Sequence, residues 1–140
     1  MKLSTKSRYG TRLLLDLAGR LDAGYIQLAD VAARLDVSMK YLEQIILPLK
    51  RARYVESTRG ARGGHRLARP AEEIRMGEVV ALLEGGVDLV ACLSSPDFCD
   101  KTDTCATREL WRQASNAFFD KLNSVTLADL VKEGCKKGGF

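Results

Sequence analysis

Cys92, Cys99 and Cys105 stand within the fourteen residues CLSSPDFCDKTDTC, with six residues between the first two and five between the last two. Thiolates are soft ligands, and a group of them suits zinc or an iron–sulfur cluster. Structural zinc favours four ligands in tight Cys-x2–4-Cys pairs, and no close pair occurs here. Longer gaps let a loop wrap a larger object, and clusters are held by thiolates with one position sometimes taken by another ligand. Little in the loop is apolar, so its order is expected to depend on what it holds. Three other readings stay open on spacing alone: zinc, a thiol pair that switches by oxidation, and incidental free thiols.

The second group with chemical potential is basic. Residues 1–75 hold 15 Lys+Arg and 8 Asp+Glu, whereas residues 76–140 hold 7 and 10. The net charge of +4 therefore conceals a basic half suited to a polyanion and an acidic half that is not. In the basic half, Leu28, Val31, Ala32 and Leu35 form the inward face of a short helix over 28–35. Asp36-Val37 is a tight connection, and Ser38 is an N-cap for a second helix over 39–52, with Leu42, Ile45, Ile46 and Leu49 inward. A short helix, a turn and a capped helix make a helix-turn-helix. The second helix of that motif enters the major groove, and its exposed N-terminal residues meet bases and phosphates. Here these are Ser38, Met39, Lys40, Glu43 and Gln44. Gln44 can pair with adenine, and Lys40 can reach guanine or phosphate. Glu43 either accepts from cytosine or repels phosphate and so sets selectivity. Pro48 forgoes the bond to the carbonyl of Gln44 and predicts a bend or an early loosening beyond the reading half.

A strand over 54–58, the Gly-rich turn RGARGG over 59–64 and a return strand over 65–68 predict a β-hairpin wing. Arg59, Arg62 and Arg66 suit phosphates or a narrow minor groove, and the glycines permit positive φ and close backbone approach. No P-loop or dinucleotide fingerprint accompanies them. His65 is the only histidine. It is expected to pack or hydrogen-bond at the wing base rather than to ligate a metal.

The elements that position these residues follow from periodicity. Ser4 or Thr5 caps a first helix with Leu13, Leu14, Leu17, Ala18 and Leu21 on one face, closed by Asp22-Ala23-Gly24, after which 25–28 is extended. Beyond Pro70, MGEVVALLEG is a short helix ended by Gly85-Gly86, and 87–91 is an apolar approach to Cys92. Residues 106–124 form a long helix with Leu110, Trp111, Ala114, Ala117, Phe118 and Leu122 near helical spacing. That is more apolar surface than one neighbour covers, and a two-fold dimer built on it sets two wings on a pseudo-palindromic site. Thr126 caps a last helix over 126–133, and GCKKGGF is expected to be a loose tail carrying Cys135.

The expected fold class is mainly α with a small β-hairpin wing. A winged helix-turn-helix occupies 1–75. Residues 76–140 carry the cysteine loop (92–105), the dimerisation helix (106–124) and the tail. At 46% hydrophobic, the 140 residues can build a core without disulfide staples. No apolar run reads as a signal peptide or membrane span. The expectation is a cytoplasmic protein, in which clustered cysteines bind metal or do redox chemistry rather than form bridges. No general base is placed for catalysis, so neither an enzyme nor a small-molecule substrate is expected.

From residue 2 to about 133 the chain resembles the Rrf-type winged-helix transcription regulators of bacteria, which include iron–sulfur cluster regulators and nitric-oxide-sensitive repressors. KLSTKSRYGTRLLLDLA, LADVAARLDVSMKYLEQI, RGARGGHRLAR, IRMGEVVALLEG, CATRELW and TLADLV carry the resemblance in order. It implies a homodimer on double-stranded DNA with a pseudo-palindromic operator. Cys92, Cys99 and Cys105 would ligate a 2Fe–2S or 4Fe–4S cluster. Ser38, Lys40, Gln44 and Arg59 would contact DNA with Arg62 beside them, and Glu43 would discriminate between operators. Two departures stand out. The histidine that serves as fourth ligand in the cluster regulators is Arg108 here, and the acidic first-helix ligand of the nitric-oxide-sensitive relatives is Arg8. Arginine stays protonated and is not a usable ligand. Asp97, Asp100, Asp103, Glu109, Cys135, a small thiol or water remain for the fourth site. An iron without a firm protein ligand would be open to oxygen or nitric oxide. Other relatives are cluster-free repressors controlled by thiol oxidation or by a partner enzyme of cysteine metabolism, and these generally lack the triplet.

Overall fold

The computed structural model describes residues 2–138; Met1 and the last two residues of the expected tail, Gly139 and Phe140, lie outside them. The element order is α1 (Thr5–Ala18), α2 (Leu28–Leu35), α3 (Met39–Arg51), β1 (Val55–Thr58), β2 (Gly64–Leu67), α4 (Met76–Glu84), α5 (Ala91–Ser94), α6 (Ala106–Asn123) and α7 (Leu127–Lys136). The mainly helical chain with one two-stranded hairpin is the expected fold class. Among the described residues no helix is long and apolar enough to cross a membrane.

Three of the helices start where a side chain satisfies a free N–H group. Ser4 caps α1, Ser38 caps α3 through the N–H of Tyr41, and Thr126 forms a reciprocal capping box with Asp129 at α7. Glu84, at the end of α4, adds a second latch on α1. Its carboxylate accepts from the N–H and hydroxyl of Ser4, both at 2.8 Å, and from the hydroxyl of Ser7. Burial pushes this carboxyl up, but the hydroxyl bonds of Ser7 and Ser4, the Ser4 N–H and the charge of Lys6 together hold it below its ordinary range.

One core joins α1–α4, the wing and α7. Leu13, Leu14 and Leu17 of α1 meet Val31 of α2, Leu42, Ile45 and Leu49 of α3, Val79 of α4 and Leu127 of α7. The helix-turn-helix therefore rests on elements from both ends of the sequence. Asp16 is buried in this frame, 7% exposed, and is the acceptor for Arg34 of α2 at 2.8 and 2.7 Å. Arg20 donates to the same carboxylate at 3.4 Å. Buried charge persists where it is paired in this way, and the pair fixes α2 on α1.

Pro48 does not loosen α3 early; the helix continues to Arg51. Only the last turn lies beyond the bond that Pro48 forgoes. Ile45, Ile46 and Leu49 hold both sides of it in the core. A complete C-terminal cap then takes over. Arg53 adopts φ 59° and donates to the carbonyl of Lys50, while Tyr54 N–H reaches back to Leu49 O at 2.9 Å. Arg69 donates to the carbonyls of Ala52 and Arg53 at 2.8 and 3.0 Å and stacks on Tyr54 at 4.4 Å. The far end of the wing is thereby tied to the end of α3.

The C-terminal part differs from expectation in one respect. α7 extends to Lys136, so Cys135 sits on its last turn, exposed, rather than in a loose tail. The capping box and the burial of Leu127 and Ala128 nucleate a helix that the Gly134 position does not stop.

Candidate nucleic-acid interface and thiol loop

α3 presents one exposed stripe. Lys40, Glu43, Gln44 and Leu47 face outward, opposite Leu42, Ile45, Ile46 and Leu49. Ser38 is also exposed, with its hydroxyl oxygen engaged by Tyr41 N–H at 3.2 Å. Ser38, Lys40, Glu43 and Gln44 thus lie together at the start of α3 on the side turned away from the core.

The wing pairs Val55 with Leu67 through Thr58 with Gly64. Ile26, in the extended stretch before α2, bridges to His65 with both main-chain bonds at 2.8 Å, adding a third edge to the hairpin. Gly64 sits at φ 144°, and a Cβ there would run into the backbone of Ile26. Only glycine fits that approach. Arg59 and Arg62 are exposed at the turn. Arg66 has partners within the hairpin. It pairs with Glu56 across the strands at 2.5 Å and covers the ring of Tyr25 at 4.5 Å, in an exposed ion pair on the hairpin surface. The Glu56 carboxyl is held below its usual range, chiefly by the hydrogen bond from Arg66.

The three loop thiols are free. Cys92 lies on α5, half-buried; Cys99 is exposed; Cys105 is half-buried and is the N-cap residue of α6. The hydroxyl of Thr107, 3.3 Å away, followed by the N–H groups of Thr107 and Arg108, holds the Cys105 thiol below its ordinary range and favours thiolate. In kind the donors fit a thiolate-held cluster: three soft ligands from one loop, one of them already biased toward its ligating form. In position they are spread out. Among the described residues no three His, Cys, Asp or Glu side chains converge on a metal-sized point. Of the possible fourth donors, Glu109 is engaged by Arg112 at 2.9 and 2.5 Å and by Gln113 at 2.9 Å. Arg108 is half-buried beside Cys105, its Nε buried without a partner, and Arg8 is exposed on α1.

α6 rises from this loop with its apolar residues largely uncovered. Leu110 is 55% exposed and Trp111 40%, and Ser115 is its only buried residue among those described. An apolar groove of about 430 Å³ runs beside it, lined by Leu3, Met76, Val80, Leu122, Val125 and Leu130.

Residues 3–133 match the Rrf2 family, described as iron-dependent transcriptional regulators. The chain belongs to the Rrf2 family of transcriptional regulators. It is 44% identical to protein rrf2 of Nitratidesulfovibrio vulgaris over 133 residues, covering 95% of this chain and 89% of that one. Among solved structures it is similar to T. potens IscR, with a TM-score of 0.78 and 36% identity over 95% of this chain and 88% of the other. It is equally similar in shape to CymR, the global cysteine regulator of B. subtilis, with a TM-score of 0.79 and 34% identity over 95% and 98% of the two chains. As an Rrf2 protein it is a DNA-binding regulator of transcription and not an enzyme. Apart from Lys2, the motifs quoted from the sequence lie inside the matched span.

Proposed function

We propose that this Rrf2 protein is a cytoplasmic homodimer that reads a pseudo-palindromic DNA site and senses iron–sulfur supply, redox stress or nitric oxide through a cluster on Cys92, Cys99 and Cys105. Residues 1–75 supply the reading surface, and residues 76–140 supply the sensor and dimer contact. Ser38, Lys40, Glu43 and Gln44 face the major groove, and Arg59 and Arg62 face the adjoining minor groove or phosphates.

The observation that carries the reading is the position of Cys105. It is both the third loop thiol and the N-cap residue of α6, the helix whose apolar side is left uncovered. A bound iron–sulfur cluster would supply a centre whose integrity depends on oxygen, nitric oxide and iron supply. With all three thiolates engaged, α5, the intervening loop and the first turn of α6 are held as one unit. With them free, that tie between α5, the loop and α6 is absent. If α6 packs against a second copy, that difference alters the spacing of the two α3 helices. Control then requires different DNA affinities in the two states. With neither Arg108 nor Arg8 able to ligate, the fourth position is left to a carboxylate, Cys135, a small thiol or water, which favours a labile, sensory centre.

Purification without oxygen, followed by visible absorption and iron and sulfide analysis, tests this. The expected result is a brown protein with sulfide matching iron and no colour when the three cysteines are replaced by alanine. The second reading, a cluster-free thiol-controlled or partner-controlled repressor, is favoured by the similarity to a cysteine regulator. A protein that stays colourless after reconstitution, with DNA affinity that follows disulfide formation, would establish that alternative.

A further inference from the structure

The junction of α3 with the wing contains a polar cleft of about 370 Å³. Lys50 enters it from the last turn of α3, Thr58 and His65 from the two strands, Arg59 and Gly63 from the turn, and Gln27 from the stretch before α2. No Asp or Glu lines it. Gln27 Nε2 donates to the carbonyl of Gly63 at 2.7 Å and holds one wall in place.

His65 is the unusual member. Its main chain is fully engaged with Ile26, but its ring Nδ1 is buried and has no hydrogen-bond partner. The ring itself is part of the cleft wall. The charged groups lining the cleft with the imidazole are Lys50 of α3 and Arg59 of the turn, and both are cations. The hairpin's own carboxylate, Glu56, is engaged by Arg66 at 2.5 Å and Tyr25 at 3.3 Å. A cleft lined by two cations and an imidazole, with no carboxylate, suits an anion.

Its place in the fold says which anion. Lys40, Glu43, Leu47 and Lys50 recur at i, i+3, i+7 and i+10, one stripe of α3. The stripe that faces the major groove therefore ends in the cleft, and the wing turn with Arg59 and Arg62 begins there. In a duplex one phosphodiester strand separates a major groove from the adjoining minor groove. With α3 in the first and the wing at the second, that strand crosses this junction. Resting on the DNA-binding reading above, we infer that the cleft seats a backbone phosphate of this strand, held by the ammonium of Lys50 and the ring of His65.

The seat couples DNA binding to protons. In the free protein burial, and then the charge of Lys50, hold the imidazole below its ordinary value of 6.5, so it is neutral near pH 7. A phosphate beside the ring favours the imidazolium. The bound state then takes up a proton, and affinity rises as pH falls through the bound-state value.

Fluorescence anisotropy on one duplex, over salt and between about pH 8 and about pH 6, tests the seat. Lys50→Gln is expected to reduce the slope of log affinity against log salt by about 0.9 while weakening specific and random duplexes alike. The wild type gains affinity on acidification, by at most about tenfold per pH unit for a single proton, and His65→Phe removes that gain. A Lys50→Gln protein with unchanged melting temperature and unchanged salt slope would overturn the seat, as would a His65→Phe protein that keeps the full pH response. If His65→Phe does not fold, the Lys50→Gln slope decides alone. Failure of the wild type to bind any duplex overturns the DNA-binding reading itself and the seat with it.

Discussion

Arg34→Ala should be more harmful than Asp16→Ala, although both remove the same ion pair. Asp16 has a side chain only 8% exposed, whereas Arg34 is 33% and Arg20 31% exposed. Removing Arg34 strands a buried carboxylate with one partner at 3.4 Å. Breaking a fully buried pair in this way costs about 3–5 kcal/mol. Because Arg34 itself reaches water and Arg20 remains, the cost here is expected to be about 2–3 kcal/mol. At about 3 °C per kcal/mol for a chain of this size, the melting temperature should drop by about 6–9 °C. Asp16→Ala instead leaves two guanidinium groups that can turn to water, and costs about 1–2 kcal/mol. Calorimetry of the two variants in one buffer measures the difference. A melting temperature for Arg34→Ala within about 2 °C of wild type, or equal losses for the two variants, would refute the claim that burial of Asp16 sets the energy of the α1–α2 latch.

Other perturbations have equally definite expected outcomes. Gly64→Ala forces a Cβ against the Ile26 backbone and a φ that alanine avoids. It should cost about 2–3 kcal/mol and release amide protection at Ile26 and His65. Glu84 has its folded-state value below the ordinary 4.5, so the latch on Ser4 and Ser7 stabilises fully above about that pH and is lost as pH falls through the lowered value. Glu84→Gln should therefore flatten the acid limb of the stability–pH curve. Alanine at Cys92, Cys99 or Cys105 should abolish iron and sulfide retention, whereas Cys135→Ala, on the exposed last turn of α7, should retain both.

Much of the frame was legible because it is written in local periodicity. The 28–35 helix, the Ser38 cap and the inward set Leu42, Ile45, Ile46 and Leu49 need only 3.6-residue spacing and a capping side chain. The wing was legible from its glycines. What sequence reading missed depends on partners distant in the chain. The Asp16–Arg34 pair spans 18 positions, the Arg69 lock 16 to 17, and the Glu84 latch on Ser4 spans 80. The same applies to Arg66, which reads as a free wing cation until Glu56 and Tyr25 are seen to take it. Pro48 misled because the local rule counts the lost bond and not the core contacts on either side. The thiol loop is the reverse case. Its ligand types were legible, but among the described residues spacing did not translate into a gathered set.

The most direct test of the account is the DNA affinity of one preparation before and after removal of its iron and sulfide, at fixed salt, on the tightest duplex selected from a random-sequence pool. The account predicts affinities that differ by at least about fivefold between the two states. Equal affinities, in a protein whose three loop thiols are shown to ligate the iron, would contradict it.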